Sequence, residues 1–382
     1  MIDIDVIEEF FKKSQKEYKE MKNVNILVVG KTGVGKSTLI NNIFREELAE
    51  TGVGKPVTQH LKKITKEGIP ITLYDTKGLE LNEEVQHEIK KEILDEIDKC
   101  KKSCVDNNDH NDLMHVCWYC LDGSTPRCED TDIEWINDIG NELPVIVVIT
   151  KGFFKSTAKN FKKEIENLNL NCKNIIPVLA QSHEEVDEDN PNNVIRFDSY
   201  GLDKLVDATY EILPETVRTS FNNAQKVSID SKVKEATKWL LGYLTGSGVI
   251  GFSPIPFSDA AILASEQVAM IVHITKIFGL DIDKSLITSI ISAITGISGA
   301  TFAGRTLVSN LLKFVPGIGS AAGGAISASV ASLMTAALGY SYINVMKYIL
   351  EQELKGIEVT NEEVYNKMKY EYKNEIKIRN RN

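Results

Sequence analysis

The stretch Val24-Asn25-Ile26-Leu27-Val28-Val29-Gly30-Lys31-Thr32-Gly33-Val34-Gly35-Lys36-Ser37-Thr38 decides the reading of the first half of this chain. Its opening run is apolar apart from Asn25 and reads as a buried strand, and residues 36–46 read as a helix. Between them lies G-K-T-G-V-G-K-S. The glycines let successive backbone N–H groups converge on phosphate oxygens with no Cβ in the way. Lys36 supplies a point charge for the outer phosphates, and the Ser37 hydroxyl is placed to ligate Mg²⁺. Negative charge at the amino end of the helix is stabilised by the helix dipole. Gly30 to Thr38 are therefore the candidate phosphate-binding residues, and the pattern points to a nucleoside triphosphate.

Working outward, strand patterns fall at 24–29, 61–65, 69–74, 114–121, 145–149 and 175–179. Helical patterns fall at 36–46, 83–103, 131–139, 156–168 and 202–212. The strands are short, rich in β-branched residues and mostly apolar, as in strands covered on both faces. This alternation predicts an α/β fold with a doubly wound, mostly parallel sheet and its ligand at the carboxyl ends of the strands.

Asp75-Thr76-Lys77-Gly78 follows the strand at 69–74. A carboxylate there can hold Mg²⁺ through water, and the Gly78 amide can reach a terminal phosphate. Between this motif and the glycine-rich loop, Gly54-Lys55-Pro56-Val57-Thr58 offers a hydroxyl on a flexible segment. Thr58 is the candidate switch residue that meets the metal when the terminal phosphate is present, with Thr51 as its competitor. The metal set is thus Ser37, Thr58 and Asp75, and the groups acting on the terminal phosphate are Lys36, Thr58 and Gly78.

Together with the apolar strand ending Ile149-Thr150-Lys151, these motifs resemble translation-factor-class P-loop GTPases, with the Era-like and immunity-related groups nearest. The resemblance spans about residues 23–213 and implies GTP and GDP as ligands, Mg²⁺ as cofactor and slow GTP hydrolysis used as a switch. In this family an N/T-K-x-D motif reads the base. Thr150 and Lys151 match it, but Phe153 stands where the guanine-reading Asp belongs, which leaves the phosphate site intact and base selectivity in question. Ala180, in Val178-Leu179-Ala180, corresponds to the family's backbone donor to the guanine carbonyl. Leu79 occupies the water-orienting position. The attacking water must then be placed by backbone, by a partner or by self-association across the nucleotide face, and Arg127 is one candidate donor in trans.

The sequence changes character after Pro214. A polar helix at 223–241 precedes small-residue apolar runs at 285–304 and 314–346 that carry no charged side chain. The organisation predicted is an N-terminal helix (1–22), a nucleotide domain (23–214), an α-helical domain (223–350) and a charged helix and tail (351–382). Pro254-Ile255-Pro256-Phe257 and Glu266-Gln267-Val268-Ala269-Met270 resemble an uncharacterised helical domain found behind bacterial GTPase domains and in YcjF-type membrane proteins. The apolar runs are long enough to cross a bilayer, but their Gly, Ala, Ser and Thr content makes them only weakly apolar. Membrane association and a soluble bundle both account for them. The resemblance to immunity-related GTPases, with their flanking helices, implies that helix 5–21 packs on the helical domain.

Composition sets limits. The formal net charge of −10 argues against nucleic acid as the main partner, and with it against an Era-like ribosome-associated role. Residues 216–350, with ten Lys/Arg against six Asp/Glu, run the other way and suit an anionic membrane surface. The acidic start Met1-Ile2-Asp3-Ile4-Asp5 does not read as a secretory signal, so a cytoplasmic protein with reduced cysteines is expected. Cys117 and Cys120 mimic a metal-binding pair. On a strand, residues three apart face opposite ways, so their sulfurs do not converge. A nucleotide-sensing scaffold with little turnover is the alternative to an enzyme.

Overall fold

A computed structural model of the chain describes residues 20–44, 48, 53–58, 60–76, 83–107, 112–186, 194–245, 260–280, 285–287, 289–290 and 328–379, with residues 8, 11–14 and 16 near the N-terminus. It divides into two units, Met21–Ser228 and Met1–Glu20 with Ile229–Asn382.

In the first unit, β1 (Val24–Gly30) is buried along its whole length. It runs parallel to β4 (Ile69–Thr76) on one side and β5 (Val116–Asp122) on the other. Parallel pairing continues through β6 (Val145–Thr150) to β7 (Asn174–Pro177). Two antiparallel strands, β3 (Leu61–Lys66) and β2 (Val53–Pro56), extend the opposite side, giving the order β2-β3-β4-β1-β5-β6-β7. A separate hairpin pairs β8 (His183–Val186) with β9 (Val194–Phe197).

Both faces of the sheet are covered at its centre, which is why β1, β4, β5 and β6 read as mostly apolar runs. Val24, Ile26 and Val28 face one core with Leu39, Ile40 and Ile43 of α1 (Lys36–Ile43). Leu27 and Val29 face the other, packed with α2 (Glu83–Asn107), α3 (Asp130–Glu142) and α4 (Lys155–Asn167). The two-residue period also separates the cysteine pair: Cys120 belongs to the first core and Cys117 to the second. Trp118 stacks on Phe44 at 6.0 Å, and its indole N–H donates to Thr209 Oγ1 at 3.1 Å, in α5 (Leu202–Ile212).

This unit runs past Pro214. The proline precedes α6 (Glu215–Ala224), whose Val217, Phe221 and Ala224 enter the first core. The helix expected at 223–241 is therefore two. α6 ends at Gln225, whose side-chain oxygen accepts the Val227 and Ser228 N–H groups at 2.7 and 2.8 Å, and α7 (Ile229–Thr245) begins beyond them.

In the second unit, α7, α8 (Ala260–Phe278), α9 (Ala328–Glu353) and α10 (Asn361–Arg379) surround one apolar core. A Cβ on Gly339 of α9 would lie 2.3 Å from Leu240 Cδ1 of α7, so the missing side chain is what permits that close crossing. The fully buried Lys232 donates to Ile277 O and Phe278 O at 3.3 and 2.9 Å, placing a cation at the carboxyl end of α8. Expected as a charged extension, α10 instead buries Val364, Met368, Tyr372 and Ile376, an i, i+4 stripe. Phe11 packs against the same core. Among the described residues no helix is long and apolar enough to cross a membrane; residues 291–304 of the first apolar run and 314–327 of the second lie outside them.

Candidate nucleotide-binding site

The loop joining β1 to α1 emerges at the carboxyl edge of the sheet. A Cβ on Gly30 would come within 2.7 Å of the Cys120 carbonyl, and Gly35, the residue preceding α1, has φ +99°. Both positions require glycine for this path. Lys36 folds back across the loop, its ammonium donating to Gly30 O at 2.8 Å and Lys31 O at 3.2 Å. The loop thus holds a nearly buried cation at its centre. Ser37 and Thr38 are exposed in the first turn of α1, which carries no acidic residue to compete with an anion. Lys31 is ion-paired with Glu129 at 2.8 Å.

Asp75 stands at the end of β4, in register with Val28 two residues before the loop. Burial raises its pKa, while Lys36 and Lys62 oppose the rise. Asp75 Oδ1 is buried with no hydrogen-bond partner. A buried carboxylate oxygen left unpaired is costly, and one beside the phosphate loop suits a hydrated divalent cation. The donor set, a Ser hydroxyl and a carboxylate, is the all-oxygen kind that Mg²⁺ prefers. Lys77, Gly78 and Leu79 lie outside the described residues, as does Thr51.

Thr58 is described, and its hydroxyl is already engaged. Oγ1 donates to Glu92 Oε2 of α2 at 2.5 Å and accepts the His60 and Leu61 N–H groups at 3.2 and 3.0 Å. His60 Nδ1 lies 3.3 Å from the same carboxylate oxygen. Glu92 and His60 carry no signal of this role in the sequence, because nothing in a charged helix marks which carboxylate meets a loop.

At the base end, Thr150 Oγ1 lies 2.6 Å from Val34 O and 3.0 Å from Leu121 O, tying β6 to the phosphate loop. Lys151 has φ +50° and pairs with Asp122 Oδ2 at 2.8 Å. Burial disfavours the Asp122 carboxylate, but Lys151 and the Ser124 hydroxyl and amide outweigh it and hold its pKa below the usual range. The lysine stem is therefore oriented before any ligand arrives. Asp122 belongs to no motif, and its only sequence signal is its place at the end of an apolar strand on the ligand edge. Phe153 packs against His183 at 5.3 Å and Phe197 at 5.7 Å, both from the β8–β9 hairpin. Gly152 donates its N–H to Val178 O at 3.1 Å and accepts from the Tyr200 hydroxyl at 2.8 Å, which fixes the base loop against the segment leading to Ala180. Arg127 is exposed, 4.0 Å from Glu129.

A sequence profile for "50S ribosome-binding GTPase" matches residues 25–151, and one for "Domain of unknown function (DUF697)" matches 223–369. The chain is similar to human Septin-9, 28% identical over 50% of this chain and 35% of the septin. It is similar to mouse Septin-14, 30% identical over 37% of each. A 77-residue segment is 42% identical to "Translocase of chloroplast 108, chloroplastic" of Physcomitrium patens, covering 18% of this chain and 8% of that one. Among solved structures, the septin GTPase domain of Chlamydomonas reinhardtii aligns at 20% identity and TM-score 0.29 over 38% of this chain and 60% of that one. The chain spans about a third of the length of the two septins. The two profile matches and the septin and translocase relatives support a broader assignment than the Era-like and immunity-related one. The chain carries a P-loop GTPase domain and, C-terminal to it, a domain of unknown function.

Proposed function

We propose that the first unit binds GTP and GDP with Mg²⁺ and hydrolyses GTP slowly as a molecular switch whose output passes through the helical unit. The observation that carries this reading is the Lys36 ammonium enclosed by the Gly30–Lys36 loop beside the unpartnered buried oxygen of Asp75. In it, Gly30 to Thr38 cradle the phosphates, Lys36 meets the outer phosphate oxygens, and Ser37 and Asp75 hold Mg²⁺. Thr58 joins them once it leaves Glu92, with Gly78 on the terminal phosphate. Bound Mg²⁺ would neutralise charge developing on the phosphates. Thr150, Lys151 and Ala180 flank the base. With Leu79 at the water-orienting position, the chain's own residues position phosphate better than water, which makes slow turnover the natural outcome and leaves room for completion of the site by a second copy. The reading includes self-association across the nucleotide face and a cytoplasmic protein whose helical unit acts at a membrane; the likeness to a chloroplast translocase is in keeping with the membrane part. The −10 charge speaks against nucleic acid.

A fluorescent-nucleotide titration tests this. Lys36→Ala removes the cation inside the loop and Ser37→Asn displaces a metal ligand; each should weaken GTP binding at least about tenfold, or 1.4 kcal/mol. Unchanged affinity in both variants would overturn the assignment. Co-sedimentation with anionic vesicles in GTP, GDP or no nucleotide tests the membrane part, which fails if the full chain stays in the supernatant throughout.

A further inference from the structure

Beside β7, the edge strand of the sheet, α4 places Lys155, Lys159, Lys162 and Lys163 at i, i+4, i+7 and i+8, one face of a helix. Lys204, from α5, stands across from them. The five lysines border a cavity of about 730 Å³ floored by β7 residues, Tyr200 and Gly201. Only two acidic side chains line it, Glu166 and Asp203, and Glu166 lies 3.6 Å from Lys162. The cleft therefore carries a surplus of positive charge in a chain whose formal net charge is −10.

An ordinary solvated helix face would spread its lysines over a convex surface, and salt-separated neighbours would cost little. Here the charges come from two elements and border a concavity, and like charges brought together repel unless an anion sits between them. The floor is preorganised. The Lys155 ammonium lies 5.0 Å over the Tyr200 ring, while the Tyr200 hydroxyl is held by Gly152 O and its backbone pairs with Leu179 in both directions at 3.0 Å. The volume falls in the range of small-molecule sites. The cations bordering it are all lysines, which act as point charges and tolerate a compact ligand with several anionic groups in varied geometry.

We propose that this cleft is a second anion site, separate from the nucleotide loop, that binds a compact ligand carrying several phosphates, whether free or as a lipid headgroup. It does not depend on GTP hydrolysis or on the switch; its test uses only GDP binding by the first unit. Inositol hexakisphosphate is the probe, titrated by calorimetry into the full chain saturated with GDP and Mg²⁺, so that the phosphate loop is blocked. Lys159→Glu/Lys163→Glu/Lys204→Glu reverses the cleft. Lys16→Glu/Lys99→Glu/Lys102→Glu, at lysines with side chains 74%, 72% and 70% exposed, is the charge-matched control. The expected result is a loss of about tenfold or more in the cleft variant, little change in the control, and GDP affinity equal in both. Equal weakening in both variants means diffuse charge and overturns the proposal, as does no binding by the natural chain. Phosphatidylcholine vesicles containing a phosphoinositide separate the sources. Capture that the cleft variant loses and that the free probe displaces assigns a headgroup; probe binding without capture assigns a soluble ligand. A single-stranded oligonucleotide bound with the same sensitivity to the cleft variant would overturn the compact-ligand assignment.

Discussion

Removing the Glu92 carboxylate should strengthen GTP binding, although the residue lies on α2 and not in any phosphate motif. Its basis is the state of Thr58, whose hydroxyl spends its proton on Glu92 at 2.5 Å and its lone pairs on the His60 and Leu61 amides. Nothing is left for a metal until the hydroxyl turns away. A hydrogen bond to a charged group contributes about 1.5–3 kcal/mol net. If that energy biases Thr58 against the metal-bound conformation, the competent state is a minor one and apparent affinity falls in proportion to its population. Glu92→Ala removes the bias while the two amides keep part of their hold, so the gain should be about tenfold for Mg²⁺ with a non-hydrolysable GTP analogue. Glu92→Gln retains a neutral acceptor and should gain less. GDP, which lacks the terminal phosphate, should bind all three proteins alike. Fluorescence titrations with both nucleotides decide it. Equal gains for GTP and GDP, or no gain for either, would refute the idea that Glu92 holds Thr58 back.

Two further outcomes follow from the same geometry. His115 is buried and accepts the Asn25 N–H at Nδ1, 3.0 Å away; burial lowers its pKa from 6.5 to about 4. Because the folded pKa lies below the unfolded one, its contribution is complete above pH 6.5 and is lost as pH falls toward 4, roughly 3 kcal/mol in all. His115→Gln, which can accept the same N–H, should flatten the stability profile across that window in urea unfolding, and an unchanged slope would count against it. Phe153 rests on His183 and Phe197 where a guanine-reading carboxylate would stand, so ATP should be rejected less strongly than such a carboxylate allows. Phe153→Asp should sharpen the preference for GTP over ATP in competition titrations, and strong rejection of ATP by the natural chain would mean that another group reads the base.

What the sequence disclosed, and what it hid, divides along a physical line. The parallel strands β1, β4, β5 and β6 at the centre of the sheet announce themselves, because burial on both faces leaves mostly apolar side chains to choose from. The strands β2, β8 and β9 do not. Val-Gly-Lys-Pro and His-Glu-Glu-Val have no pattern of their own and are strands only by virtue of a partner. Helix ends were equally a matter of tertiary contact. The pattern at 36–46 predicts a longer α1, yet Phe44 leaves the helix for an extended conformation in which it stacks on Trp118 and bridges to Gln225. Pro214 looked like a boundary, but proline is at ease where a helix begins, and the helix that follows it completes the first core.

The site shows the same division at the level of single atoms. The position of the Lys36 ammonium can be read from spacing because the loop that carries it is local: it meets Gly30 O and Lys31 O within the same short stretch, and the role proposed for Ser37 rests on the same local spacing. Thr58 could be nominated from spacing too, but its hydroxyl answers to Glu92, 34 residues away on another element. The lysine at 151 is likewise oriented by Asp122, 29 residues distant, and Phe153 by a hairpin with no signal of its own. Where the chemistry is local, the motif predicts both the residue and its readiness. Where a side chain's partner comes from elsewhere in the fold, the motif predicts only the residue, and its readiness becomes something the protein can regulate. On that reasoning the variable part of this GTPase domain is the set of contacts made by Thr58 and Phe153, and substitutions at Glu92 and in the β8–β9 hairpin should change which nucleotide is preferred while substitutions of Lys36 or Ser37 weaken binding itself.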